Sequence, residues 1–289
     1  MKQDTTSTTH TISALFLRGI ITAPLNIRAN LGDRCVDAVL LEDGSVQIEA
    51  HHHPDIHQAM LATHRDSSST SDAWQFWCWL SDKTQIWNPL EHLRATLNAQ
   101  SSPTEIRTSD SHPLRIDYIS VPHATGRIGL TFCPGKHCEG LYGGTWQRDL
   151  NKDLTVIETS GGKVLVSLME GHEFPLLGLP EFAEALAKSS IEWLHLPIQD
   201  MNIPTEQFEQ QWTSIGPDLH QRLVDGDTII IHCRGGLGRT GLLAARMLVE
   251  AGLAPADAVA NVRSAREHAI ETYAQEHYVL HKRWALNKR

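Results

Sequence analysis

The ten residues from His232 to Gly241, HCRGGLGRTG, constrain this chain more than any other stretch. They follow an apolar run, Thr228-Ile229-Ile230-Ile231, which reads as a strand buried on both faces. They precede a helical stretch, Gly241 to Glu250. Between the two, the glycines allow the backbone to turn tightly and aim several N–H groups at one point. Together with the following helix N-terminus, such a loop forms a nest for a tetrahedral oxyanion. Cys233 stands at its mouth and Arg239 closes it. The same field is expected to lower the Cys233 pKa, because a thiolate is favoured beside helix N-termini and cations. The planar fork of Arg239 can hold two oxygens of an anion, which lysine cannot do.

The loop also contains Gly236-Leu237-Gly238-Arg239-Thr240-Gly241, which fits G-x-G-x-x-G between a strand and a helix. A dinucleotide-binding unit would need a second strand ending in an acidic residue about 20 positions on. Here a second helix, Ala258 to Arg266, follows Pro255-Ala256-Asp257 instead. That reading also leaves Cys233 and Arg239 without a purpose. A nucleoside triphosphate loop is excluded because no Gly-Lys-Ser/Thr is present. A sulfur-transfer loop would need neither Asp200 nor Thr240.

The spacing Cys233, five residues, Arg239, Thr240 resembles the signature of the cysteine-dependent protein phosphatases. The wider match is to the dual-specificity branch, most like the kinase-associated phosphatase type. It covers roughly residues 113 to 289, and the first hundred residues carry none of it. The resemblance implies that Cys233 is the nucleophile. Arg234, Gly235, Gly236, Leu237, Gly238 and Arg239 would bind the substrate phosphate, and the Thr240 hydroxyl would donate to the Cys233 sulfur. Asp200 lies in the segment Leu196 to Pro204, thirty-three residues before Cys233. In the family a mobile loop there carries the acid that protonates the leaving oxygen. Arg263-Ser264-Ala265-Arg266, Ala269-Ile270-Glu271-Thr272 and Gln275 look like the family's closing segment. There Arg266 would buttress the phosphate loop and Gln275 would help place the hydrolytic water. A polar position on a surface helix is the equal alternative for Gln275. His232 is expected to hold the loop by hydrogen bonds, since an ionised thiol needs no base.

The function expected is therefore phosphomonoester hydrolysis through a phosphocysteine, of the protein-tyrosine or dual-specificity type, with no metal and no cofactor. The partner would be a phosphorylated protein or a small phosphomonoester. The alternative is a module of the same fold that binds phosphorylated ligands with little turnover. Intact Cys233, Arg239, Thr240 and Asp200 argue for the enzyme.

At 289 residues the chain can bury a proper core as one or two domains. A net charge of -9 disfavours a sequence-independent grip on nucleic acid. The arginines around the loop run against that balance and suit a phosphorylated group on an acidic body. Five sparse cysteines do not read as a disulfide framework. Ile12 to Leu17 is too short for a signal peptide, no stretch approaches a membrane span, and a cytoplasmic location is expected. The oligomeric state stays open.

The polar stretch Gln100 to Pro113 reads as a linker, dividing an N-terminal α+β region, 1–107, from a phosphatase domain, 108–289. In the second part strands (Ile116 to Val121, Ile128 to Phe132, Lys163 to Leu168, Ile191 to Ile198, Asp227 to His232) alternate with helices. The helices are Arg148 to Glu158, Pro180 to Ser189, Thr205 to Asp225 with a break at Gly216-Pro217, and Thr272 to Trp284. That alternation predicts an α/β fold around a central, largely parallel sheet, with Cys233 at the carboxyl end of a central strand. In the first part, Ala38 to Glu42 and Ser45 to Glu49 read as a hairpin joined by Asp43-Gly44. Pro54 to His64 and Pro89 to Ala99 read as helices. Trp74, Phe76, Trp77 and Trp79 read as packing residues, with a docking face as the alternative. His51, His52, His53, His57 and His64 invite a metal site, but no acidic or cysteine partner stands at a matching spacing. Cys133 and Cys138 lack a second ligand pair for zinc. A disulfide with Cys233 would require proximity.

Overall fold

The computed structural model describes residues 12, 15–16, 19–31, 34–63, 72–81, 87–99, 106–139 and 144–282. The chain divides into two compact units, Met1–Thr104 with Leu141–Gly143, and Glu105–Gly140 with Gly144–Arg289.

The first unit is built on a six-stranded antiparallel sheet. Its central pair, Leu25–Asn30 and Cys35–Leu40, places Ile27 opposite Ala38. Ile27, Ala29, Ala38 and Leu40 are buried while their chain neighbours are not, the alternation of a sheet with one covered face. The hairpin to Val46–Ile48 exists, but its turn is longer than two residues. Leu41 N–H bonds to the Ser45 carbonyl, and Asp43 accepts from both the Ser45 N–H and its hydroxyl. Gly44 sits at φ 85°, where the turn needs a glycine. His51–His53 is an edge strand, so His53 and His57 do not share a helix; His57 lies on the helix Ile56–Thr63. His64 and residues 1–11 lie outside the described residues. Trp74, Phe76 and Trp77 are buried, and the Trp77 indole donates to the Ile56 carbonyl at 3.0 Å. These three aromatics are packing residues.

The second unit carries a five-stranded sheet in the order Glu192–His195, Gly162–Ser167, Thr228–Cys233, Arg127–Phe132, Asp117–Ser120. The first three pairings are parallel, and the edge strand Asp117–Ser120 pairs antiparallel with Arg127–Phe132. The α/β class holds, and the sheet is mixed. Thr228–Cys233 has parallel partners on both sides and is buried along its whole length, which is why its sequence is almost continuously apolar. Burying each isoleucine stabilises by about 1.5–3 kcal/mol relative to exposure. A separate three-stranded sheet joins Ile106–Arg107, His137–Glu139 and Thr145–Gln147.

Three expectations need correction. The long helix Glu206–Val224 runs without a break through Pro217. A Cβ on Gly216 would stand 2.6 Å from the Trp212 indole. Trp212 in turn stacks on Phe208 and donates to Glu250, which anchors the turn before Pro217. The helix expected from Pro180 spans only Phe182–Ala187. The stretch read as linker is structured from residue 106 onward. Ser109 is buried, donates to Asp153 at 2.9 Å and accepts from the Asp149 N–H at 3.0 Å. The Asp149 side chain caps the helix Leu150–Thr159.

Candidate active site

Cys233 ends the central strand, and its side chain is buried with the Gly236 N–H 3.2 Å from the sulfur. Gly236 adopts φ 72°, and a Cβ there would stand 2.3 Å from the Thr131 carbonyl oxygen. The loop therefore runs flush against the neighbouring strand, and only glycine fits. The helix begins at Gly238, three residues before the sequence suggests, so Arg239 and Thr240 lie in its first turn.

Arg239 is almost fully buried and anchored on three sides. Glu173 takes both terminal nitrogens, at 2.6 and 2.9 Å. The Ile198 carbonyl accepts at 3.1 Å, and Asp200 closes an ion pair at 2.9 Å. Its Nε has no partner among the described residues. Burial works against the Arg239 charge, but Asp200, Glu173 and Cys233 together push its pKa well above the ordinary arginine value. One guanidinium shared by two carboxylates neutralises only one of them well. Burial would raise the Glu173 pKa, yet its two bonds to Arg239 bring it below the ordinary value. Asp200 is left with burial as the dominant influence, and its pKa is raised. It is therefore the carboxylate that more readily holds a proton. The Asp200 segment is fixed at its start, where the Leu196 and Ile198 N–H groups bond to the Ser167 and Leu168 carbonyls.

His232 is fully buried, and burial drives its pKa down to about 3. A neutral ring with its proton on Nδ1 completes one chain of bonds. Trp193 donates to the Ser167 hydroxyl at 2.8 Å, Ser167 donates to His232 Nε2 at 2.5 Å, and Nδ1 donates to the Cys233 carbonyl at 3.3 Å. Arg266 bonds to Asp117 at 2.7 Å and to the Gly235 carbonyl at 3.2 Å, which ties the loop to the edge strand.

One expectation about this loop does not hold, and neither does the surface alternative for Gln275. The Thr240 hydroxyl is buried without a partner among the described residues, and the bond to the sulfur is made by the Gly236 N–H instead. Gln275 is not on the surface. It is fully buried in a capping box with Thr272, accepts from the Glu271 N–H at 3.1 Å and donates to the Asn202 carbonyl at 3.3 Å.

The sequence reading missed Glu173 and Lys136. Glu173 lacks any motif, since its partner Arg239 is sixty-six residues away in the chain. Lys136 sits in the turn after Phe132, buried, with its ammonium 4.4 Å from the Phe132 ring, 5.0 Å from the Trp146 ring and 3.4 Å from the Arg234 carbonyl. Burial lowers its pKa to about 8. All five cysteines are free, so no disulfide joins Cys133 or Cys138 to Cys233, and burial pushes the Cys133 thiol far up. Among the described residues no group of three His, Cys, Asp or Glu side chains is arranged to hold a metal.

Residues 142–253 match the family described as "Polymorphic toxin system, DSP-PTPase phosphatase". The chain is 38% identical to a probable protein tyrosine phosphatase type IVA B of Dictyostelium discoideum, over 27% of this chain and 48% of that protein. It is 26% identical to cyclin-dependent kinase inhibitor 3 of Rattus norvegicus, over 62% of this chain and 83% of that protein. The chain thus spans about half the length of the type IVA relative and most of the second. Among solved structures it is similar to a kinase-associated phosphatase whose catalytic cysteine is replaced by serine. That likeness has a TM-score of 0.50 and 25% identity, and it covers 58% of this chain and 92% of the other. The family match and the likeness in fold support a dual-specificity type of phosphatase domain in the second unit.

Proposed function

We propose that this chain hydrolyses phosphomonoesters through a phosphocysteine on Cys233. The observation that carries the proposal is the ion pair between Arg239, in the same loop as Cys233, and Asp200, which comes from a separate segment of the chain. The Cys233 thiolate attacks phosphorus, the P–O bond to the alcohol breaks, and the leaving oxygen takes the Asp200 proton. Water then attacks phosphorus, Asp200 accepts its proton, the S–P bond breaks and inorganic phosphate leaves. Arg239 and the free N–H groups of the Arg234–Arg239 loop hold the equatorial oxygens, where charge accumulates. Arg266 positions the loop through the Gly235 carbonyl, and His232 does so through its bond to the Cys233 carbonyl. The buried Gln275 amide stands beside Gly238, a suitable place from which to orient the water of the second step. The substrate is a phosphorylated protein or a small phosphomonoester, and the relatives' names favour phosphoprotein.

The test is hydrolysis of para-nitrophenyl phosphate by the purified chain, with chelator and reductant present, beside Cys233→Ser. Turnover that survives chelator and vanishes in the variant is expected. Turnover that persists in Cys233→Ser overturns the nucleophile. No turnover in either protein, with phosphate still bound, would make the chain a phosphate-binding module.

A further inference from the structure

Two donors of the oxyanion loop are held by carboxylates of the chain itself. The Gly238 N–H donates to Glu271 Oε2 at 2.7 Å, and the Arg239 guanidinium pairs with Asp200 at 2.9 Å. A Cβ on Gly238 would stand 2.7 Å from the Glu271 carboxylate and 2.9 Å from the Gln275 amide oxygen, so both side chains press directly on the loop. The segment that delivers Glu271 is pinned there. Ile270, at φ 62°, donates its N–H to the Leu237 carbonyl at 3.3 Å, and the Glu271 N–H is held by Gln275. The groups around this point are Arg234, Arg239 and the Cys233 thiol of the loop, Glu173 beside Arg239, and Asp200. The Glu271 charge adds to the burial that makes Asp200 harder to ionise, so the two carboxylates share one electrostatic space.

Resting on the phosphatase reading above, we propose that Glu271 is a built-in competitor for the phosphoryl group. Its carboxylate holds the Gly238 N–H in the empty site and yields it when substrate binds. A dianionic phosphoryl group and the Glu271 carboxylate cannot share one small pocket without repulsion. Entry of the substrate therefore swings Glu271 aside or neutralises it. Return of the carboxylate to Gly238 helps expel inorganic phosphate after the second step. Glu271 thereby sets how strongly the pocket prefers a less charged ligand and how long it retains its product.

The experiment measures inorganic phosphate binding to the full chain carrying Cys233→Ser, at about pH 8, by titration calorimetry. Glu271→Gln is compared in that background, with Glu271→Ala as the second variant should the first fold poorly. Loss of the charge should tighten phosphate binding roughly tenfold. A residue that merely braces the loop would weaken binding when replaced. Equal or weaker affinity in the variants overturns the inference while leaving the phosphatase reading intact. No phosphate binding by the Cys233→Ser parent, together with no turnover by the unmodified chain, overturns both.

Discussion

Arg239 shows how much one side chain can organise. It draws Glu173 and Asp200 toward the same guanidinium, and the competition between them decides which carboxylate can carry a proton. Asp200→Ala should lower kcat/KM by about 10²–10⁴ for an alkyl phosphate and much less for an aryl phosphate, whose leaving group needs little acid help. Steady-state rates on both esters check this, and equal losses would place the acid elsewhere. Arg239→Lys keeps the charge but loses the fork and should cost roughly 10²–10³ in kcat. Near-normal turnover would contradict bidentate binding. His232 makes a different prediction. Its folded pKa of about 3 lies below the ordinary value, so the unfolded chain takes up a proton that the folded chain refuses. Stability should therefore fall as pH drops below about 6.5, by up to ~1.4 kcal/mol per pH unit from this group. Urea unfolding of the native chain and His232→Asn across that range should show a shallower fall in the variant.

At the scale of elements, the strand–loop–helix from Thr228 to Glu250 is decided by two neighbouring glycines that look alike in sequence. Gly236 needs a left-handed backbone and lies against the Thr131 carbonyl, whereas a Cβ on Gly235 would meet nothing within 4 Å. Gly236→Ala should cost about 1–3 kcal/mol and most of the activity, because the loop must shift. Gly235→Ala should leave both nearly unchanged, since it retains its N–H. Thermal unfolding and turnover of the two variants distinguish a conformational requirement from mere glycine content. The loop was legible in sequence because strand, turn and helix signals coincide within ten residues. The unbroken helix at Pro217 was not: the turn before it is anchored by Trp212 bonding to Glu250 thirty-eight residues later in the chain. The edge strand of histidines was illegible for a similar reason: it forms only by pairing with Val46–Ile48.

For the whole molecule, the buried pair Arg148–Asp153 joins separate parts of the second unit. Asp153 also accepts from Ser109 and from the Gly135 N–H, and Arg148 donates to the His112 carbonyl, with both charged side chains fully buried. Asp153→Ala strands a buried guanidinium and should cost about 3–5 kcal/mol. The denaturation midpoint checks this, and a loss below about 1 kcal/mol would mean that water reaches Arg148. The same network shows why part of the expected linker is ordered: Ser109 looks like a loop residue until the acceptor it meets is known. No helix among the described residues is long and apolar enough to cross a membrane.

The amino-acid sequence alone determined the strand, glycine loop and helix from Thr228 to Glu250 and the α/β class of fold around them. Those features follow from local rules, the apolar strand, the glycine turn and the helix start, which lie close together in the chain. Tertiary structure alone decided which groups face the loop from afar. Glu173 on Arg239, Gln275 buried behind the loop, Lys136 on the Arg234 carbonyl and Glu271 on the Gly238 N–H all depend on packing between distant segments. A side chain's charge and burial come from neighbours that sequence spacing does not specify.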